Sequence, residues 1–139
     1  TRYIERAADA GRKLGFSGPV VTEIAESRAS RPDDRKGQEA AAIRDSLNGL
    51  PFICFDERGL ALPSDGMAHF IGQKRDGGLK GLALLIGGAD GLDPALRQQA
   101  LAVWSFGAAT MPHQIVRIVV AEQLYRAMTI LAGHPYHRA

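Results

Sequence analysis

The sequence predicts an α/β domain in which a mostly parallel sheet is flanked by helices. Two observations carry this. Segments of helical period alternate with short apolar runs, in the order helix then strand four times over, closed by a last helix. The run Leu82-Ala83-Leu84-Leu85-Ile86 is apolar without a break, the pattern of a parallel strand covered on both faces. A length of 139 residues fits one domain and can bury a core without disulfide or metal staples. No internal repeat, low-complexity tract or domain boundary is visible in it.

The first helix is expected over 1–14, where Tyr3, Ile4, Ala7, Ala8, Gly11 and Leu14 fall at helical spacing, and Gly15 ends it. Residues 19–25 are rich in β-branched side chains and are predicted as the first strand. Residues 26–36 are polar, with Pro32 beside Asp33 and Asp34, and read as a loop leading toward the alanine-rich helix at 38–47. A short apolar strand is expected at 51–55, then a turn at Asp56-Glu57-Arg58-Gly59. Ser64 can cap a helix reaching Arg75, and Gly77-Gly78 breaks the chain. After the strand at 82–86, Asp93 as N-cap with Pro94 behind it opens a helix that ends near Ala102. Residues 103–106 are the last short strand. Pro112 opens the longest helix, which runs to Leu131 and is stopped by Gly133 and Pro135.

Composition excludes several classes. The single cysteine, Cys54, permits no internal disulfide, and its apolar run Phe52-Ile53-Cys54-Phe55 reads as core rather than as a reactive thiol. No run approaches the ~20 apolar residues of a membrane span, and nothing reads as secreted. Net charge is only +2, yet the basic residues are unevenly placed. Arg28, Arg31, Arg35 and Lys36 form one cluster; Arg117, Arg126, His134, His137 and Arg138 form another near the C-terminus. Placement of this kind suits a polyanion or a solvated face, and charge alone leaves both open.

In open parallel sheets ligands bind outside the carboxyl ends of the strands. Three segments fall there: Phe55 to Gly59, Ile86-Gly87-Gly88-Ala89-Asp90-Gly91-Leu92, and Ser105-Phe106-Gly107-Ala108-Ala109-Thr110-Met111-Pro112. Their glycines allow close approach of a ligand to backbone, or positive φ. Gly-Gly-Ala-Asp-Gly taken alone is equally a tight turn. The dinucleotide spacing G-x-G-x-x-G is absent, which disfavours a nucleotide-dependent oxidoreductase, and there is no Walker A motif. Neither Ser64 nor Ser105 sits in a nucleophile elbow. His134 and His137 with one distant cysteine do not make a metal set, and no metal is expected.

At about 100° per residue, His113 and Arg117 share one narrow sector of the last helix. Glu122 and Arg126 lie opposite at i,i+4, a spacing that suits an ion pair. Between these edges run Val116, Val119, Val120, Leu124, Met128 and Leu131, so the helix is a core element with two polar margins.

These residues also make a series: Leu84-Leu85-Ile86-Gly87-Gly88-Ala89-Asp90-Gly91-Leu92, Trp104-Ser105-Phe106, Thr110-Met111-Pro112-His113-Gln114-Ile115-Val116-Arg117, Glu122-Gln123-Leu124-Tyr125-Arg126-Ala127 and His134-Pro135-Tyr136-His137. In order and spacing it resembles the bacterial ribosomal RNA large subunit methyltransferase H family of the SPOUT superfamily. Phe55 to Gly59 fits as well, whereas residues 1–50 match only in pattern. The family begins with a strand and glycine turn that this sequence lacks, so an initial segment is expected to precede Thr1.

The resemblance implies a SPOUT fold with a C-terminal trefoil knot, a feature that sequence physics excludes by default because knots are rare. It implies a cytoplasmic homodimer that uses S-adenosylmethionine to methylate N3 of a pseudouridine in helix 69 of 23S rRNA, in the large subunit or the assembled ribosome. Carried over by position, the cofactor contacts would be Phe55, Gly87, Phe106, Gly107, Ala108, Ala109, Thr110 and Met111. An apolar slot of this kind, edged with backbone groups, suits adenine. N3 of pseudouridine is a weakly acidic imide that must lose its proton to attack. The catalytic candidates are His113, Arg117, Tyr136, His137 and Arg138; a neutral histidine could take the proton and an arginine balance the charge. Which of them is the base stays open, and the tail could come from the other subunit. A non-catalytic RNA-binding α/β domain is the alternative, and failure to bind S-adenosylmethionine would favour it.

Overall fold

Three parallel strands make the sheet in the computed structural model, in the order β2-β1-β3: β1 (Phe52–Ala61) lies between β2 (Ala83–Ile86) and β3 (Ala102–Ser105). The structure describes residues 2–87, 90–107, 111–134 and 136, with His113 described by its backbone only. Five helices complete the described elements: α1 (Arg2–Arg12), α2 (Pro32–Leu47), α3 (Ser64–Asp76), α4 (Pro94–Gln99) and α5 (His113–Ala132). None of the described helices is long and apolar enough to cross a membrane. The chain separates into two units, one of Thr1–Val21, Leu62–Lys80 and Gln114–Ala139, the other of Thr22–Ala61 and Gly81–His113.

The second unit holds the sheet. Its core gathers Ala40 of α2, Phe52 and Cys54 of β1, Leu85 of β2, and Leu92 and Leu96 in and before α4, with Ile43, Leu47 and Val103 packed against them. Phe52 and Cys54 share a face because strand side chains alternate; Ile53 and Phe55 take the other face and are buried too. The expected core role of Cys54 holds: burial, and secondarily the charge of Asp56, pushes its thiol up to about 11. Asp93 caps α4 through its carboxylate, which accepts from the Ala95 N–H at 2.8 Å, with Pro94 in the first turn as predicted.

The first unit is built from α1, α3 and α5, and small residues set its approach distances. A Cβ on Gly11 would sit 3.1 Å from Met128 Sδ, and one on Gly72 would sit 2.8 Å from a Leu131 methyl. Glycine therefore lets α5 lie close to both partner helices. All three helices end in the same device, a residue of positive φ followed by a 6→1 backbone bond: Phe16 N–H to Gly11, Leu79 N–H to Lys74 and His134 N–H to Thr129.

Several expectations need correction. Residues 19–25 form no strand; Val20 is 88% exposed and Val21 is exposed as well. β-Branched content favours a strand only where a neighbour and a buried face exist, and this segment is paired with no strand among the described residues. Two helices therefore precede β1, and the alternation begins only there. Helix α2 starts at Pro32, inside the predicted loop, with Asp33 and Asp34 in its first turn. Proline at N1 and acidic residues beside the positive end are helix-start signals, and their polarity disguised them. Ser64 does not cap α3: Pro63 holds that position, and the Ser64 hydroxyl donates to Gln123 Oε1 at 2.7 Å. The helix expected to end near Ala102 ends at Gln99, which frees the Leu101 N–H to bond the Phe52 carbonyl at 2.8 Å.

The expected turn at 56–59 is a local irregularity within β1. Phe55 and Leu60 both pair with Trp104, so four residues bulge between two points of contact. Gly59 makes this geometry possible. A Cβ there would lie 2.6 Å from the Val103 carbonyl carbon and oxygen, which are backbone and cannot step aside. Gly59→Ala is expected to cost about 1–3 kcal/mol by overpacking. Gly37→Ala, in a helix with nothing within 4 Å of its Cβ, should instead stabilise by about 0.5–1 kcal/mol. Urea denaturation of the two variants checks both signs; a stable Gly59→Ala would refute the backbone contact.

Candidate functional site

The register of the sheet sets the middle of β1 level with the carboxyl ends of β2 and β3. Phe55 pairs with Ile86 on one side and with Trp104 on the other. Asp56, Gly87 and Ser105 thus stand level with one another toward the carboxyl end of β2 and β3, where open parallel sheets bind ligands, and β1 bulges at 56–59 before it pairs with β3 again at Leu60 and Ala61.

An aromatic floor lies at this edge. Phe55 stacks on Phe106 with ring centroids 5.2 Å apart and an interplanar angle of 13°, and meets Trp104 edge-on at 5.9 Å. Next to it the buried Ser105 hydroxyl both donates to the Gly107 carbonyl and accepts the Gly107 N–H, each at 3.0 Å. This ties off a turn whose glycine has φ +118° and open space where a Cβ would stand. Of the expected cofactor residues the structure stacks Phe55 on Phe106, with Gly107 next in the chain, and Gly87 follows Ile86, the partner of Phe55 in β2. Met111 is half-buried beyond. Ala108, Ala109 and Thr110 lie outside the described residues.

Gly87 is constrained differently from the expectation. A Cβ on it would sit 2.8 Å from the Gly91 carbonyl carbon and 3.0 Å from Leu92 N. The glycine is needed first by the loop's own return, so any demand from a ligand is additional.

Two ion pairs around this loop were not foreseen. Asp56, its side chain 6% exposed, faces Arg97 at 3.4 Å, and the same guanidinium donates to the Leu92 carbonyl. Asp56 also accepts the Arg58 N–H at 2.9 Å. Arg35 makes a two-pronged bond to Asp90, Nε at 2.8 Å and Nη2 at 3.1 Å. That contact holds the Asp90 carboxyl below its ordinary value and raises the Arg35 guanidinium, in each case chiefly through the hydrogen bond. The partners are 41 and 55 residues apart in sequence, so no local pattern announces them. The basic cluster at 28–36 is correspondingly reduced: Arg35 is committed to Asp90 and Lys36 stands 3.7 Å from Asp33, while Arg28 and Arg31 are exposed.

The catalytic candidates fall on the other unit, apart from His113, whose side chain lies outside the described atoms. Arg117 is exposed on α5. Tyr136 folds back onto the same helix: its hydroxyl donates to Glu122 Oε2 at 2.8 Å, Arg126 lies over its ring at 5.2 Å, and Tyr125 packs against it at 4.6 Å. The predicted Glu122–Arg126 pair is present at 2.9 Å. Burial, then the bond to Glu122, pushes the Tyr136 phenol up to about 12. It is therefore a neutral donor at physiological pH and an anchor for the tail. His137 and Arg138 lie outside the described residues. Among the described residues no three histidine, cysteine, aspartate or glutamate side chains gather as metal ligands.

The chain is similar to known proteins over nearly its whole length. A family model described as "Predicted SPOUT methyltransferase" matches residues 2–137. A protein of Beijerinckia indica subsp. indica named ribosomal RNA large subunit methyltransferase H is 55% identical over 139 residues, covering 99% of this chain and 87% of that protein. Proteins of the same name from Sinorhizobium fredii and Xanthobacter autotrophicus are 53% and 51% identical, over 99% and 100% of this chain and 87% and 88% of theirs.

The raised phenol has a measurable sign. Folding holds the Tyr136 proton more tightly than the unfolded chain does, so this stabilisation is complete below the ordinary tyrosine value and is lost as pH rises through about 12. Ultraviolet titration of tyrosinate should show a late step that Tyr136→Phe lacks. A titration curve left unchanged at high pH by Tyr136→Phe would show that the tail is not seated on Glu122.

Proposed function

The chain belongs to the SPOUT methyltransferase family, and from that premise we propose that it methylates N3 of a pseudouridine in helix 69 of 23S rRNA, using S-adenosylmethionine as methyl donor. The observation that carries the cofactor reading is the level placing of Asp56, Gly87 and Ser105 beside the stacked Phe55 and Phe106. The fit is chemical as well as positional. An adenine ring needs an apolar slot, and the Phe55–Phe106 stack would form one wall of it; Gly107 leaves its surroundings open where any other residue would place a Cβ. Phe55, Gly87, Phe106, Gly107 and Met111, with Ala108, Ala109 and Thr110, would hold the cofactor. The trefoil knot of the family is part of this proposal, and the 139 residues would act as one such domain.

S-adenosylmethionine supplies an electrophilic methyl group on a sulfonium. The chain has to hold the uracil ring in line with that methyl, accept the N3 proton and balance the charge that develops on the imide. Arg117, exposed on α5, suits the charge-balancing role, with Arg138 as a second cation. A neutral His113 or His137 can accept the proton. Tyr136, protonated and bonded to Glu122, suits holding the tail in place better than taking a proton. Exposed Arg28 and Arg31 can meet phosphates. An rRNA substrate in the large subunit or assembled ribosome would be met in the cytoplasm.

Assembly as a homodimer is supported by Ile115 and Ile118, which leave an apolar stripe exposed on α5. Ile118→Arg should shift the protein to monomer in sedimentation velocity, and an unchanged dimer would place the interface elsewhere.

The function is tested by mass spectrometry of rRNA from a strain deleted for this gene. One methyl on a pseudouridine should disappear and return on complementation; an unchanged spectrum would overturn the reading. Arg117→Ala should keep S-adenosylmethionine affinity within about twofold yet slow methyl transfer by about a hundredfold or more, the signature of a group that serves the transition state. Wild-type transfer by Arg117→Ala would remove it from the mechanism.

A further inference from the structure

Arg35 uses all three guanidinium nitrogens, and they join two separate segments. Nε and Nη2 hold the two oxygens of Asp90, while Nη1 donates to the carbonyls of Ala29 and Ser30, both at 3.1 Å. Arg35 itself stands in the first turns of α2, its N–H bonded to the Arg31 carbonyl at 3.0 Å. The segment it grips is tied to the same helix a second time: the Ser27 N–H meets Glu39 Oε2 at 2.9 Å and the Ser27 hydroxyl meets Gln38 Oε1 at 2.5 Å. On its other flank the glycine loop is held by Arg97, which binds the Leu92 carbonyl and Asp56. The loop between β2 and α4 is thus braced from two sides by arginines, and only the Arg35 brace reaches out of the sheet edge to another surface segment.

We propose that Arg35 is a positioning residue for the cofactor: through Asp90 it fixes the 90–92 stretch that packs against Gly87 and links it to the 27–31 segment. The proposal rests on the reading of this loop as part of the cofactor site. A planar fork suits the task. Two parallel bonds to a carboxylate fix direction as well as distance, and the third nitrogen remains for the carbonyls. Lysine offers a single point charge and cannot hold Asp90 and both carbonyls in one geometry. Since exposed Arg28 and Arg31 flank the gripped carbonyls, a polyanion held there would stiffen the same brace. Cofactor and RNA affinities would then be linked, reciprocally, as any coupled pair must be.

The test is a double-mutant cycle read by calorimetry with S-adenosylmethionine. Arg35→Gln and Asp90→Asn should each weaken binding by about tenfold, and the double variant also by about tenfold rather than a hundredfold, because both remove the same brace. Arg35→Lys should fall between wild type and Arg35→Gln. Thermal melting is followed in parallel, since a purely structural pair would lower the melting midpoint and leave the affinity of the folded protein unchanged. Full additivity in the double variant, or unchanged affinity in both single variants, overturns the proposal. Should Arg35→Gln fail to fold, Asp90→Asn alone decides: wild-type affinity there overturns it. Gly87→Ala separates this failure from failure of the underlying reading. If Gly87→Ala loses cofactor while the Arg35 and Asp90 variants keep it, only the brace is wrong. If Gly87→Ala folds and binds as wild type, the loop is not a cofactor loop and both fall.

Discussion

A strand paired on both sides cannot slide, and the site depends on that. β1 is bonded to β2 and β3 at once, so Phe55 is level with Ile86 and Trp104 together. A slip of one residue against either neighbour would turn Phe52 and Cys54 away from α2 and bring Ile53 and Phe55 in their place. Leu85, Leu92 and Leu96 lock this register from the core side. The level placing of Asp56, Gly87 and Ser105 is a consequence of packing, reached before any ligand is considered.

Much of this was legible in the sequence because it is written locally. The unbroken 82–86 run, the Asp93-Pro94 start, the stop at Gly133 and the Glu122–Arg126 spacing each involve neighbours within a turn or a strand, and each appears in the structure. The failures share one cause as well. Val20 and Val21 carry strand-forming side chains, but whether a strand forms is decided by a partner elsewhere in the chain. Pro32-Asp33-Asp34 looked like a loop because a helix start and a polar turn use the same residues.

The candidate site divides along the same line. Its glycines and aromatics were found from the position of the loops after strands. Its ion pairs were not, because Arg35 and Asp90 or Arg97 and Asp56 meet only after the chain has folded. Gly87 shows how one glycine can answer to a second demand that its sequence position does not reveal. Closeness of a ligand was the expectation; closeness of Gly91 is what the loop itself imposes. The two demands are compatible, since a glycine satisfies both by having no side chain. The basic stretch at 28–36 carries the converse lesson: a charge counted toward a polyanion in the sequence can already be spent on an aspartate in the fold.

Trp104 is the chain's one tryptophan, and it lies nearly sealed from solvent against the edge of Phe55. Indole emission from this protein therefore arises from a single place, one ring away from the Phe55–Phe106 stack. The environment is dry, so the emission belongs at the blue end of the tryptophan range in the native state and moves red when β1 and β3 separate. Any molecule that enters the aromatic floor alters the field and packing felt by this one fluorophore. The sheet edge thus carries its own optical probe, with no label to attach and no second tryptophan to obscure it.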